Sequence, residues 1–437
     1  LDALSSLADK SLVAVEPSGD DSRYRMLYSV REYGLERLAE AGEAAAIARR
    51  HALYHADFVR GLQPLALALE DVEWQRLLTA ELGNLRAAID WTIFQKHEPE
   101  TGIALLADME WPELITTPHE ALQWYEAALD LAGTVPDKIM HSRLLRHCVI
   151  LEWLVGRPVA RREQTALRAV EAARSAGDAN EMARALANLG GIYRSYGRFD
   201  EADRAFTEAY VSRESLSRIT TNAVLRTWAV TDLQRGDVDL ARRRFSEVAR
   251  LERPGSEGHA SALLNLGELE YAAGNIDAAR EAAGRAKDAY VHLRSIYLVL
   301  ALSNLAAYAI AADDIDGARE HLGEALRLQS KSGAGWLGKV LEHHALFAAL
   351  VGEKERSALL AGFTDALYRS RGDVREHTEH RGYERLMRLL ADAYAAEDLA
   401  DRMAAGAALS EEQALAHAAA IHETTTNRAA VPPKGAV

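Results

Sequence analysis

Apolar and small residues recur in a block along the middle of the chain. Ala185-Leu186-Ala187-Asn188-Leu189-Gly190 is followed by Gly197, Ala202 and Phe206, and Leu263-Leu264-Asn265-Leu266-Gly267 by Gly274, Ala279 and Ala283. A third copy reads Leu302-Ser303-Asn304-Leu305-Ala306, then Ala318 and Leu322; a degenerate one has Leu225, Trp228, Gly236, Ala241 and Phe245. The small residues at 202, 241, 279 and 318 are 39, 38 and 39 residues apart, which marks a repeat array. Apolar positions at i, i+3, i+4 and i+7 predict two helices per unit, joined by a Gly-containing turn. The small residue lets the second helix approach the first, and the large apolar residue four positions later fills the groove between them. One such unit cannot bury its apolar surface alone, so units stack. The predicted fold is all-α, a right-handed α-solenoid with a concave and a convex face.

The flanks carry other patterns. Residues 1–10 have an apolar stripe at 1, 4 and 7; Leu12 to Glu16 and Tyr24 to Leu27 are β-rich runs around Pro17-Ser18-Gly19-Asp20-Asp21; Arg31 to Ala41 is helical up to Gly42. Helix, hairpin and helix read as the end of a winged-helix domain at 1–42. A helical connector is expected at 43–116, the repeat array at 117–353, a helical cap at 354–421 and a disordered tail at 422–437. Thr117-Pro118-His119-Glu120 is a helix start with a hydroxyl cap, and Asp178 with Glu181 and Ser410 with Gln413 repeat the logic. In 135–175, Arg161 and Thr165 stand where Ala and Phe belong, predicting a divergent unit with poor internal packing.

Composition narrows the function. The 437 residues are 49% hydrophobic but 7% aromatic, which suits Ala/Leu helix packing, and 10 prolines interrupt little. A net charge of −14 argues against a surface for direct nucleic-acid binding. No run of ~18 apolar residues and no leader pattern is present, so no membrane contact and a cytoplasmic location are expected. Cys148 is the single cysteine, which excludes an internal disulfide and a Cys-based zinc site. Leu1 opens inside a helical pattern, which reads as a piece of a longer protein.

Candidate chemistry is sparse. Gly333-Ala334-Gly335-Trp336-Leu337-Gly338-Lys339-Val340 satisfies two phosphate-loop patterns on paper, yet a repeat helix precedes it and Val340 replaces the Mg²⁺-binding hydroxyl, so an inter-repeat turn is expected. His51 and His55 have i, i+4 ligand spacing without a third ligand; His377 and His380 sit among glutamates on a helix face; His343 and His344 point to different faces. Arg242-Arg243-Arg244 reads as a solvated ridge. No catalytic constellation stands out, so neither enzyme activity nor a cofactor is expected.

The Leu, Gly, Ala and Phe spacing resembles the tetratricopeptide repeat, with helices about a turn longer than its usual ~34-residue period allows. HEAT-type repeats, at ~40–47 residues, are the structural alternative. "LADKSLVAVE", "RYRMLYSVREYGLERLAEAGE", "RRHALYHADF", "EWQRLLTAELGNLRAAIDW" and "EALQWYEAALDLA" resemble STAND-class signal-transduction ATPases, including LuxR-type transcriptional regulators. Gly83 and Tyr28-Ser29-Val30 depart from that family, which usually has Asp and Glu-Thr-Ile there. The resemblance implies a sensor domain that follows a winged helix and an N-terminal ATPase module not contained in these residues. The tetratricopeptide resemblance implies that Asn188, Asn265 and Asn304, at one position of three first helices, face the concave groove and can bond a peptide backbone. Arg184, Arg194, Arg226, Glu268 and Tyr271 are expected beside them, with a protein or peptide as partner. A small-molecule inducer and a stand-alone scaffold are the alternatives.

Overall fold

The computed structural model describes residues 2–18, 21–65, 71–110, 112–133, 137–332 and 334–429. Helix α1 (Asp2–Asp9), antiparallel strands β1 (Val13–Ser18) and β2 (Asp21–Met26), and α2 (Tyr28–Glu40) reproduce the helix, hairpin and helix expected at 1–42. Val13 pairs with Met26 and Val15 with Tyr24. The tip of the turn, 19–20, lies outside the described residues. Tyr24, Met26, Tyr28, Tyr33 and Leu35 are exposed. The hairpin is tied to the connector by Arg23, which bonds the Ala80 carbonyl and pairs with Glu81 at 3.0 Å.

The connector comprises α3 (Ala44–Leu65), α4 (Asp71–Ile89) running into a π turn, α5 (Pro99–Asp108) and α6 (Pro118–Ala132). The helix pairs follow: α7 (Lys138–Leu154) with α8 (Val159–Ala176), α9 (Ala179–Ser195) with α10 (Phe199–Tyr210), and α11 (Arg218–Arg235) with α12 (Val238–Leu251). Then come α13 (Glu257–Ala272) with α14 (Ile276–Leu293), α15 (Leu298–Ala311) with α16 (Ile315–Ser332), and α17 (Leu337–Leu350) with α18 (Lys354–Arg371). Helices α19 (His377–Ala393), α20 (Ala396–Ala407) and α21 (Glu411–Ala429) complete the chain. The result is a right-handed α-solenoid of tetratricopeptide-like pairs. Because α18 pairs with α17, the array extends to Arg371, past the boundary expected at 353.

The repeat signature has the predicted physical role. Ala202, Ala241, Ala279 and Ala318 are fully buried where the helices of each pair cross. At Gly190 a Cβ would sit 2.6 Å from the Phe206 ring, and at Gly267 it would sit 3.1 Å from the Ala279 carbonyl oxygen. Burying Phe206 or Phe245 in such a groove contributes about 1.5–3 kcal/mol. The caps also form: Thr117 accepts from the Glu120 N–H, Asp178 from Glu181, and Ser410 and Gln413 bond reciprocally.

Three expectations need correction. The unit at 135–175 is well packed, since Arg161 and Thr165 both bond Glu152 while Val159, Ala166 and Ala169 are buried against α7. Arg244 is no solvated ridge: it bonds Asp232 and stacks 3.7 Å from the Trp228 ring centre. The segment expected as a tail is helical to Ala429 and docked, with His422 Nε2 3.2 Å from His344 Nε2; residues 430–437 lie outside the described set.

Closure of the superhelix matters most for function. The turn before α17 returns to the end of α7, where Gly335 is required: a Cβ there would lie 2.8 Å from the Trp153 carbonyl oxygen. Trp153 and Tyr297 meet Trp336 at ring distances of 5.1 and 5.2 Å. One apolar cluster accordingly joins connector residues such as Leu106 and Tyr125 to Val299, Leu302, Trp336 and Val340. The concave face is bounded where the connector and α7 meet the α15–α17 region.

Candidate ligand site inside the closed solenoid

The enclosed face is divided into two halves. One is a cavity of about 190 Å³ between the connector, α7, α9, α11 and α13, with Leu114, Ile150 and Leu293 as part of its apolar wall. Arg184, Asn188 and Arg226, three of the eight residues expected to meet a ligand, line it. Helix α11 adds Arg218, Asn222 and Arg226 at four-residue spacing, one face of one helix.

Charge in this half is mostly paired. Arg184 grips Glu110 through two bonds of 2.9 Å, and buried Arg146 lies 3.4 Å from Glu181 and donates to His147 at 3.2 Å. Burial pushes the Glu110 carboxyl up, but Arg184 and Arg146 outweigh it and hold the group well below the usual carboxylate range. Burial also depresses His147, reinforced by Arg146, so its imidazole is neutral. Glu113 behind the wall is pushed up by burial to about 7. Arg226 makes no hydrogen bond or ion pair among the described residues. Asn222 donates to Glu252 at 2.7 Å, while its Oδ1 is buried without a partner.

The other half is mostly filled by the chain itself, leaving a cavity of about 60 Å³ lined by Arg194, Lys339 and Glu376. Helix α19 packs on α13, α15 and α17, the first helices of three pairs. The segment leading into it crosses to α8 and α9: Asp373 pairs with Arg162, the Val374 N–H donates to the Ser195 carbonyl at 3.1 Å, and Glu376 accepts from Arg194 at 2.6 Å. Arg381 and Arg385 donate to the Tyr271 and Ile310 carbonyls in the last turns of α13 and α15, where cations offset the helix dipole. Arg194 is therefore held by the residue that precedes α19, and Glu268 and Tyr271 by α19 itself.

Glu268, Glu376 and Glu379 bring carboxylate oxygens within 4.8 Å of one another, a spacing that could suit a metal ion. The Lys339 ammonium already answers that charge, contacting Glu376 and lying 3.5 Å from Glu379. Burial pushes Glu268 up to about 7, with the Glu376 charge adding to the shift, and burial raises Glu379 as well. Glu376 is held at about 2, because Lys339 and Arg194 outweigh its burial. Lys339, read from sequence as part of an apparent phosphate loop, is the counter-ion of this cluster; Gly333 of that motif lies outside the described residues.

The asparagines do not form one ladder. Asn188 donates to the Arg146 carbonyl of the preceding repeat at 3.3 Å, Asn265 to Ser261 of its own helix at 2.9 Å, and Asn304 is buried with an unpartnered Oδ1. Asn222 was missed by sequence reading, although it stands one turn before Arg226 and so on the same face. His55 bonds the His51 carbonyl and Glu81, and buried His343 bonds Ser303 through Nδ1 while its Nε2 has no hydrogen-bond partner among the described residues. No helix among the described residues is long and apolar enough to cross a membrane.

No family model matches the chain. Over 201 residues it is 32% identical to proteins of Mycobacterium bovis and Mycobacterium tuberculosis described as candidate HTH-type transcriptional regulators, an alignment covering 44% of this chain and 22% of theirs. The chain spans about a fifth of the length of these curated relatives. A 51-residue stretch is 47% identical to an uncharacterized M. bovis protein, covering 12% of this chain and 13% of that one. Among solved structures, a Rap protein complexed with competence and sporulation factor aligns at a TM-score of 0.43 and 13% identity, covering 75% of this chain and 99% of that one. A STAND protein with a tetratricopeptide repeat sensor from Pyrococcus horikoshii aligns at 0.38 and 12%, covering 97% and 59%. At such scores no ligand or partner carries over.

Proposed function

We propose that this chain is the sensor part of a bacterial transcriptional regulator of the STAND type, and that it takes a compact ligand in its enclosed cavity. The division of the concave face carries the reading. With α19 occupying most of one half and leaving only about 60 Å³ beside Arg194 and Lys339, the other half keeps the 190 Å³ cavity, below the ~300–1,000 Å³ of sites for drug-sized ligands. A small-molecule inducer, or the end of a short peptide, suits that space better than an extended protein segment. Ligand binding favours one curvature of the ring, and the helix-hairpin-helix at 1–42 passes the difference to an upstream ATPase module in the cytoplasm. The regulatory role is supported by the curated relatives described as HTH-type transcriptional regulators.

The test blocks the cavity. Ala223 lines it from α11, and Ala223→Trp fills it. Fractions of a small-molecule extract of the source cells are screened for a rise in Tm of the native chain. A fraction that stabilises the native chain and leaves the folded variant unmoved supports the reading. Equal shifts in both proteins refute the cavity as the site.

A protein or peptide partner along the whole groove is the second reading, favoured by the polar attachment of α19, which can exchange one set of charged contacts for another. It requires α19 to leave, so a ligand that accelerates amide exchange across 377–393 would select it.

A further inference from the structure

We propose, building on the cavity as the ligand site, that its ligand is a compact acid: a molecule with one carboxylate-like anionic group and at least one N–H or O–H donor. Arg226 receives the anion and Asn222 Oδ1 receives the donor.

Each half of this assignment rests on an unmet group. Of the five arginines in the cavity wall, Arg184 is committed to Glu110 in a bidentate pair, Arg146 is shared between Glu181 and Glu110, Arg218 donates to the Leu251 carbonyl, and Arg253 has a contact of its own. Arg226 alone of these five has no hydrogen-bonding or ionic partner among the described residues, and a guanidinium with five donors left in a half-buried cavity is matched by a carboxylate. The wall also contains acids, but Glu252 is bonded by Asn222 and Glu257 by Ser295. Asn222 is 4% exposed, and its amide orientation is fixed: Nδ2 must face the Glu252 carboxylate, which can only accept. Its Oδ1 is therefore a buried acceptor with no donor, a condition that costs about 1–3 kcal/mol and that a ligand donor relieves. Residues 222 and 226 are one helical turn apart, so the two functions on the ligand must be separated by a few bonds. Amino acids, hydroxy acids and the carboxyl end of a short peptide share this chemistry.

The experiment is calorimetric titration of the intact chain with L-alanyl-L-alanine, N-acetyl-L-alanine and L-lactate, each against its methyl ester. At least one acid is expected to bind and its ester to bind at least tenfold more weakly. In Arg226→Gln the affinity for that acid falls by roughly 10- to 100-fold, while Arg226→Lys recovers part of it. Asn222→Ala weakens the donor-bearing acids, with circular dichroism confirming the fold. Esters that bind as tightly as acids, an undiminished affinity in Arg226→Gln, or no binding by any acid each overturn the proposal. The parent reading fails separately: ester binding abolished by Ala223→Trp keeps the cavity as a ligand site while removing the anion requirement, whereas binding that survives Ala223→Trp removes both.

Discussion

Lys339→Met tests how α19 is held. The substitution keeps an apolar stem and removes the ammonium that half-buried Glu376 and buried Glu379 share. Breaking a buried ion pair costs about 3–5 kcal/mol. Arg194 still contacts Glu376 at 2.6 Å, which puts the expectation at the lower end, about 3 kcal/mol. Because a solenoid opens in parts, the measurement is native-state hydrogen exchange of the 377–393 amides, where about 3 kcal/mol is a protection loss of roughly 100-fold. The pH dependence is the sharper signature. Glu268 titrates at about 7 when folded against an ordinary 4.5, so the closed form holds a proton that the open form lacks between those values. In the native chain this contribution is fully present below pH 4.5 and is lost as pH rises through 7, about 3 kcal/mol over the window. Glu376 behaves oppositely: held at about 2, it contributes above pH 4.5 and loses its contribution as pH falls toward 2. Without the ammonium, the carboxylates can be neutralised only by protons or by Arg194. The penalty should therefore be largest at pH 8 and shrink toward pH 5.5. Unchanged protection at pH 8, or a penalty that is flat from pH 5.5 to 8, would refute the account.

Two further outcomes follow from the cap. At Gly406 a Cβ would lie 2.0 Å from the Leu359 carbonyl oxygen, so Gly406→Ala should cost at least about 1–3 kcal/mol and lower Tm, whereas Gly34→Ala, which meets nothing, should not; equal Tm values would contradict the close α18–α20 crossing. His344 is depressed by burial to about 3, with His422 adding to the shift, and burial lowers His422 as well, so the unfolded chain binds protons below pH 6.5 that the native state refuses. Exchange protection of α21 should fall between pH 7 and 5, opposite in sign to the Glu268 effect, and equal protection at both values would count against the histidine contact.

What the sequence determined is what neighbouring segments do to one another. Gly190 and Phe206, or Gly267 and Ala279, meet within one helix pair, so the small-and-large spacing records that contact and predicts both period and fold. The caps at Thr117, Asp178 and Ser410 were legible for the same reason, since each bond spans three residues. Arg184, Asn188 and Arg226 line one cavity because they occupy the inner side of adjacent first helices. Asn222 could have joined them had the face of α11 been plotted through Arg226. Tertiary structure alone decided that Trp336 returns to Trp153, that α19 and the segment leading into it cover Arg194, Glu268 and Tyr271, and that Lys339 pairs with Glu376 and Glu379. Closure depends on a small rotation per repeat summed over six pairs among the described residues, a quantity no single unit encodes. The ion pairs that lock it join residues as far apart as Arg162 and Asp373, and in sequence such charges are indistinguishable from those on a solvated helix face.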